Sequence, residues 1–179
     1  MVQVRVLGIA LDASQQHLVL LKPLDDELEP GAPRVLPIWI GAQEATSILI
    51  ALEGERAPRP LSHDLITTLF ATVDARIERV DVTRIESGTF YAELTLTTPS
   101  GRQVVDARPS DAVALALRAA APIFVADEVL DDAGIPAEFA GEDDGGTEGG
   151  RADEGRDDEA KLAEFKEFLD DVDPEDFQG

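Results

Sequence analysis

Residues 106–127, DARPSDAVALALRAAAPIFVAD, decide the fold, because they lead from the end of one strand through a buried helix into another strand. Pro109 suits the first position of a helix. The apolar side chains that follow it surround the helix almost completely, so a helix over 109–120 is predicted to be buried against a sheet. PIFVA, residues 122–126, predicts the strand after it.

Three segments upstream of this stretch alternate between apolar and polar residues. They span 75–86, 89–98 and 102–107, and the short sequences SG and PSG separate them. Alternation of this kind, broken by turn residues, predicts a three-stranded antiparallel meander. In the second strand the alternation assigns one set of side chains to the core, namely Phe90, Ala92, Leu94 and Leu96. It assigns the other set to the outer face, namely Tyr91, Glu93, Thr95 and Thr97.

The N-terminal part of the chain predicts three further strands. Residues 2–11 and 17–22 flank the turn sequence DASQQ and form a predicted hairpin, in which Gly8 is a candidate β-bulge. VLPIWI, residues 35–40, predicts a short strand. Pro37 lacks an N–H group and therefore suits an edge or an irregular position.

Two helices with one apolar face each are predicted between these strands, over 42–53 and 62–73. Gly54 suits the C-cap of the first, and Ser62 the N-cap of the second. The predicted buried faces are Ala45, Ile48, Leu49 and Leu52 in the first helix, and Leu65, Ile66, Leu69 and Phe70 in the second. Together the elements predict an α+β fold, a mixed and mostly antiparallel sheet with about three helices packed on it.

The distribution of charge divides the 179 residues into three parts. The net charge is −22; residues 1–140 contribute −10 (21 acidic, 11 basic) and residues 141–179 contribute −12 (16 acidic, 4 basic). We predict a domain over 1–138, a flexible acidic linker over 139–157 and an amphipathic C-terminal helix over 158–179. The apolar stripe of that helix either packs back on the domain or docks on a protein partner.

Composition and missing motifs exclude several classes of function. The chain has no cysteine, which excludes disulfides, thiolate zinc sites and cysteine nucleophiles. It also lacks a Walker loop, a dinucleotide fingerprint, an HExxH motif and a nucleophile elbow. No signal peptide or membrane span is evident, so a cytoplasmic protein with no membrane partner is expected. The excess of acid argues against broad nucleic-acid binding, so any such function must use local arginines.

The first candidate site lies at the start of the helix over 109–120. Asp106 and Arg108 are two residues apart at a strand end and share a side, next to Ser110 and Asp111 in the first helical turn. Helix capping alone accounts for an acid at this position. A carboxylate and a guanidinium beside a helix N-terminus also suit a phosphodiester group.

A second, similar cluster lies at the start of the helix over 62–73. It contains Arg59, which begins a second Arg-Pro pair, and His63 and Asp64 in the first turn of the helix. Of the two histidines in the chain, His63 is the better candidate for a general base near neutral pH, although a helix-start residue without catalytic function is the commoner case. Glu44, in the first turn after WIG, is a third candidate or a partner of the helix dipole.

Four motifs in this order resemble the bifunctional nuclease domain family, small proteins credited with both DNase and RNase activity. They are LPIWIGAQEATSI, RPLSHDL, DARPSDAVALALR and PIFVADEVL, and the resemblance covers about residues 1 to 135. The ending FKEFLDDVDPEDF is similar to tails of bacterial members. The resemblance implies an α+β fold, a homodimer and nuclease activity on DNA and RNA.

The leading hypothesis is therefore a nuclease that hydrolyses phosphodiester bonds, with Asp106, Asp111, His63 and Glu44 as catalytic candidates. Arg59, Arg108 and Ser110 are the candidates for binding substrate. Asp106, Asp111 and Asp64 are the candidate ligands of a divalent cation, Mg²⁺ or Mn²⁺, because such ions prefer carboxylate oxygens and activate water. The alternative is a non-catalytic interaction or regulatory module, in which the same residues form caps and ion pairs.

Overall fold

The computed structural model describes residues 1–24, 34–55 and 57–137. The strands are β1 Val2–Leu11, β2 His17–Pro23, β3 Arg34–Ile40, β4 Arg76–Glu86, β5 Thr89–Thr98, β6 Gly101–Ala107, β7 Ile123–Val125 and β8 Ile135–Pro136. The helices are α1 Ala42–Leu52, α2 Ser62–Thr72, α3 Pro109–Ala119 and α4 Asp127–Ala133. The polar loop after β2, the predicted acidic linker and the predicted C-terminal helix lie outside the described residues.

The eight strands form one mixed sheet in the order β6-β5-β4-β7-β1-β2-β3-β8. The pair β4–β7 is parallel and all the other pairs are antiparallel. This confirms the predicted α+β fold. The helix α3 carries the chain from the edge strand β6 to β7, where Ile123 pairs with Val80 on one side and Val4 on the other. The stretch 106–127 therefore joins the meander to the N-terminal strands.

The N-terminal hairpin and its neighbour β3 have the predicted irregularities. The β1–β2 register shifts between Val6 and Gly8, which confirms the bulge. Pro37 pairs with Leu20, and the short strand β8 pairs with β3 only at Arg34 and Val35. Pro37 therefore lies beyond the part of β3 that β8 covers, where a missing N–H group breaks no ladder hydrogen bond.

The core lies between the sheet and the helices. Val19 and Leu21 on β2 belong to the main apolar cluster, together with Ile48 of α1 and Val113 of α3. The alternate residues of β2 point to the other face and join a smaller cluster. The helix α3 contacts both α1 and α2 as well as β4 and β5, so it lies at the centre of the helical layer.

The predicted buried face of α2 is confirmed at Ile66 and Phe70 and is wrong at Leu65 and Leu69. Leu65 and Leu69 are 53% and 54% exposed, whereas His63 is buried and Ile66 and Phe70 pack against the core. The inner stripe therefore runs through positions 63, 66 and 70, and it begins with a polar residue. The periodicity of apolar residues does not include His63, and it therefore assigns the stripe to Leu65 and Leu69.

Three smaller expectations also need correction. Leu49 and Leu52 of α1 are exposed, because Ala45, Ser47 and Ile48 form its inner side. Leu61, and not Ser62, occupies the N-cap of α2. Thr95 of β5 is buried, although the alternation assigns it to the outer face. No helix in the described ranges is long and apolar enough to cross a bilayer.

Candidate functional site

The first turns of α1, α2 and α3 meet at one cavity of about 620 Å³. Its walls include polar side chains from each helix start, with apolar atoms of Ala42, Leu61 and Ile66 between them. The polar residues are Gln43, Glu44, Thr46, Ser47, Ser62, His63, Arg108 and Asp111. The starts of α2 and α3, which follow the two Arg-Pro pairs, thus meet in space, although they are about fifty residues apart in the sequence.

His63 is the central side chain of this wall. It is 7% exposed, and both of its ring nitrogens have protein partners. Nε2 lies 3.0 Å from Asp111 Oδ1, and Nδ1 lies 2.9 Å from Ser47 Oγ. An ionised carboxylate only accepts hydrogen bonds, so in the neutral imidazole Nε2 carries the proton and Nδ1 accepts from the Ser47 hydroxyl.

Asp111 is held in its ionised form by its neighbours. Burial opposes ionisation, but hydrogen bonds from Arg108 and His63 outweigh it, so the pKa of Asp111 lies below its ordinary value. Arg108 Nε donates to Asp111 Oδ2 at 2.7 Å, and Oδ1 accepts from both Arg108 Nη2 at 3.2 Å and the imidazole. The carboxylate can therefore fix the His63 tautomer.

Arg108 bridges two helix starts. It is the N-cap residue of α3, and its Nη2 donates to Glu44 Oε1 of α1 at 2.8 Å. Hydrogen bonds from the guanidinium to Asp111 and then to Glu44 raise the pKa of Arg108, so it remains charged. Its side chain is nevertheless 67% exposed, so it can turn towards a ligand in the cavity.

Gly41 makes room for Glu44. It is the N-cap residue of α1, and a Cβ atom at this position would collide with the Glu44 carboxylate. The carboxylate can therefore lie over the N-terminus of its own helix, where the helix dipole favours a negative charge. This placement keeps Glu44 within reach of Arg108.

Asp64 has a different environment, although it adjoins His63 in the sequence. Its Oδ1 accepts from Arg118 Nε at 2.5 Å, and its Oδ2 accepts from the Leu61 N–H group at 2.8 Å. These hydrogen bonds, that from Arg118 first, lower the pKa of Asp64. Arg118 is 9% exposed, so this ion pair joins α2 to α3 beside the cavity and does not line it.

Three other predicted site residues also lie away from the cavity lining. Arg59 is exposed before α2, and Asp106 is exposed on β6, where it pairs with Glu93. Ser110 is buried in the first turn of α3. The structure therefore brings together Glu44, His63, Arg108 and Asp111, and it does not bring the other predicted residues into the same lining.

The predicted metal ligands are dispersed. Asp111 lies in the cavity wall, Asp64 is bonded to Arg118, and Asp106 is exposed on β6. Within the described ranges, no group of three or more acidic or histidine side chains is arranged to hold a metal ion. The three residues do not fit a shared cation site.

Ser47 is the functional candidate that sequence reasoning missed. It is 5% exposed, lies three residues after Glu44 on α1 and contacts His63. A serine between the apolar residues Ala45 and Ile48, on the side of the helix that also carries Glu44, was the available signal. Its partner lies 16 residues away and could not be identified from α1 alone.

These features define an α+β domain in which three helix starts enclose a polar cavity containing a histidine, a serine, an arginine and two carboxylates. A sequence model of the family described as Bifunctional nuclease domain matches residues 26–138. The chain belongs to this family.

Two curated proteins show how far the similarity to this chain extends. An uncharacterized protein of Mycobacterium tuberculosis (strain H37Rv) is 42% identical over 179 residues, which is 98% of each chain. Bifunctional nuclease 1 of Oryza sativa subsp. japonica is 26% identical over 117 residues, 64% of this chain and 34% of the rice protein. The similarity to the mycobacterial protein thus extends over almost the whole chain, and that to the rice protein over a part.

Proposed function

We propose that this protein is a nuclease that hydrolyses phosphodiester bonds in DNA and RNA at the cavity between the three helix starts. The observation that carries the proposal is the position of His63 between Asp111 and Ser47. An oriented neutral imidazole is the commonest general base in proteins. Membership of the bifunctional nuclease domain family, together with the activity named in the rice relative, supplies the class of substrate.

The proposed step transfers one proton through the serine. A water molecule attacks phosphorus and gives a proton to Ser47 Oγ, while the Ser47 proton moves to His63 Nδ1. The bond from phosphorus to the leaving oxygen breaks. His63 Nδ1 then returns its proton to Ser47 Oγ, while the Ser47 hydroxyl gives its own proton to the leaving oxygen. The products are a phosphomonoester and an alcohol. Asp111 stabilises the imidazolium formed on the way, since it accepts the Nε2 hydrogen bond throughout.

Arg108 supplies the positive charge for the phosphate. A guanidinium matches the geometry of phosphate oxygens, and this one lies at the N-terminus of α3, where free N–H groups also favour an anion. The hydrogen bonds of Arg108 to Asp111 and Glu44 use Nε and Nη2, so Nη1 can donate to a phosphate oxygen. The proposal routes no step through Mg²⁺ or Mn²⁺, because the predicted ligands lie apart.

Replacement of His63 tests the proposal, and His17 provides a matched control. His17 starts β2, and it is the other histidine of the chain. We expect His63→Gln to lower cleavage of labelled single-stranded DNA and RNA by about 10²- to 10⁴-fold, the usual contribution of a general base. His17→Gln should retain wild-type activity. Equal cleavage by the wild type and His63→Gln, with Mg²⁺ and with a chelator, would point to a contaminating nuclease. That result would refute the proposal that this protein cleaves nucleic acid with His63 as the base.

One observation favours the alternative of a non-catalytic interaction module. Arg108 already has two carboxylate partners, so the site is internally satisfied without a ligand. In that case the ion pairs are structural. The surface to test for binding is the exposed apolar stripe of Leu65 and Leu69 on α2 and Val73 at its C-cap. A wild type with no cleavage activity, together with an intact fold, would support this second function.

A further inference from the structure

We infer that the substrate of this site is a short oligonucleotide rather than a long nucleic-acid strand. The inference rests on the proposed function and specifies its substrate class. Three features carry it: the size of the cavity, the pairing of the arginines and the sign of the net charge. All three limit how many phosphates the protein can contact at once.

The cavity has the size of a site for one small ligand, and an extended strand must continue outside it. Its volume of about 620 Å³ falls within the range of sites for single small ligands. One cationic side chain, Arg108, is found among its lining residues. A phosphodiester with its flanking nucleosides can use this charge, but further phosphates along a strand must find their contacts outside the cavity.

The arginines outside the cavity are mostly neutralised by carboxylates of the same chain. Of the nine arginines in the described part of the protein, six form ion pairs, Arg108 included. The five outside the cavity pair as Arg34–Asp131, Arg79–Asp81, Arg84–Glu86, Arg102–Glu78 and Arg118–Asp64. A phosphate at any of them meets the negative charge of a carboxylate already bound to the guanidinium, which offsets part of the gain from a new contact.

The three remaining described arginines do not form a track. Arg5 lies on β1, Arg59 precedes α2, and Arg76 begins β4 after the same helix. The eleven residues of α2 are about 16 Å long, so Arg59 and Arg76 lie at opposite ends of the helix. Binding of a long strand depends on several adjacent phosphate contacts, and these three positions do not supply them.

The negative net charge also disfavours binding of a long strand. Residues 1–140 carry −10 and the whole chain −22. Each phosphate of a strand that extends beyond the cavity therefore adds repulsion within a Debye length of the surface. A dinucleotide adds little repulsion and still offers one scissile bond to His63. The electrostatic balance thus favours short substrates.

The test compares substrates of graded length with the full-length protein. We would measure kcat/KM for a dinucleotide, a pentanucleotide and a strand of about thirty nucleotides, as both DNA and RNA, at several salt concentrations. We expect the dinucleotide and pentanucleotide to be cleaved at least about tenfold more efficiently than the long strand at low salt, because repulsion slows the encounter. With about one phosphate contact, kcat/KM for the short substrates should depend only weakly on salt concentration.

The outcomes separate this inference from the proposed function. Cleavage that His63→Gln abolishes, but that is as efficient on the long strand as on the short ones, would overturn the short-substrate inference and leave the nuclease standing. A salt slope near −3 or steeper would also overturn it, since it indicates about four or more phosphate contacts. Failure to cleave any length, by the wild type and His63→Gln alike, would instead refute the proposed function and the inference with it.

Discussion

The ion pair between Asp64 and Arg118 should contribute substantially to the stability of the domain. It joins α2 to α3 and therefore sets the distance between His63 and Asp111. In Asp64→Asn the buried guanidinium keeps a neutral acceptor but loses its counter-charge. Arg118 Nη2 has no hydrogen-bond partner among the described residues. In this part of the chain the guanidinium therefore has no other carboxylate or acceptor near Nη2 that could replace the lost charge of Asp64.

The expected cost follows from exposure. Breaking a fully buried ion pair costs about 3 to 5 kcal/mol. Arg118 is 9% exposed, but Asp64 is 34% exposed, so part of the charge remains solvated. We expect the free energy of unfolding to fall by about 2 kcal/mol, which is within the range for a charged hydrogen bond. The matched control is Asp131→Asn, which breaks the exposed pair with Arg34 and should cost less than about 1 kcal/mol.

The effect should depend on pH with a defined sign. Hydrogen bonding to Arg118 lowers the pKa of Asp64 in the folded state. The ionised carboxylate therefore stabilises the fold above the unfolded pKa, about 3.9, and this contribution is lost as the pH falls through the lower folded value. Urea unfolding of the wild type and Asp64→Asn should differ by a constant amount between about pH 6 and 8, and by less below about pH 4. A difference under about 0.5 kcal/mol at neutral pH, or one that is unchanged in acid, would refute the reasoning.

Three further predictions concern the site, the assembly and the tail. Ser47→Ala should lower kcat by about tenfold or more with little change in KM, because it removes the proton relay and no substrate contact; an unchanged kcat would exclude the relay. Light scattering should give the mass of a homodimer, as the family resemblance implies, and a monomer at every accessible concentration would contradict it. Replacing the six carboxylates of 141–155 by amides should strengthen binding of a labelled oligonucleotide in fluorescence anisotropy at low salt, and equal binding would show that the tail does not compete with substrate.

Much of the fold could be predicted from the sequence, because periodicity and turn residues are local signals. The meander over 75–107 and the helix after Arg108 follow directly from them. The buried face of α2 could not be predicted in the same way. Its first inner residue is His63, which is stable there because Ser47 and Asp111 satisfy both ring nitrogens. A buried polar residue of this kind depends on partners from other elements, which a periodic pattern does not contain.

The same distinction applies to the site. Sequence reasoning selected Glu44, His63, Arg108 and Asp111 because each lies at a helix start, where unpaired N–H groups favour polar residues. It also selected Asp64, which has the same local signal. What separates Asp64 from Asp111 is the identity of the nearest arginine, and that is set by the packing of α2 on α3.

The charge of the cavity connects its geometry with its proposed chemistry. The formal charges of Asp111, Glu44 and Arg108 sum to −1 while the His63 imidazole acts as the proposed base, and this charge repels a phosphodiester. When His63 takes a proton during the reaction, the sum becomes zero at the moment when negative charge develops on the phosphoryl oxygens. The interaction is therefore stronger in the transition state than in the ground state, which is the condition for catalysis. The cost is weak ground-state binding of a phosphodiester at this site.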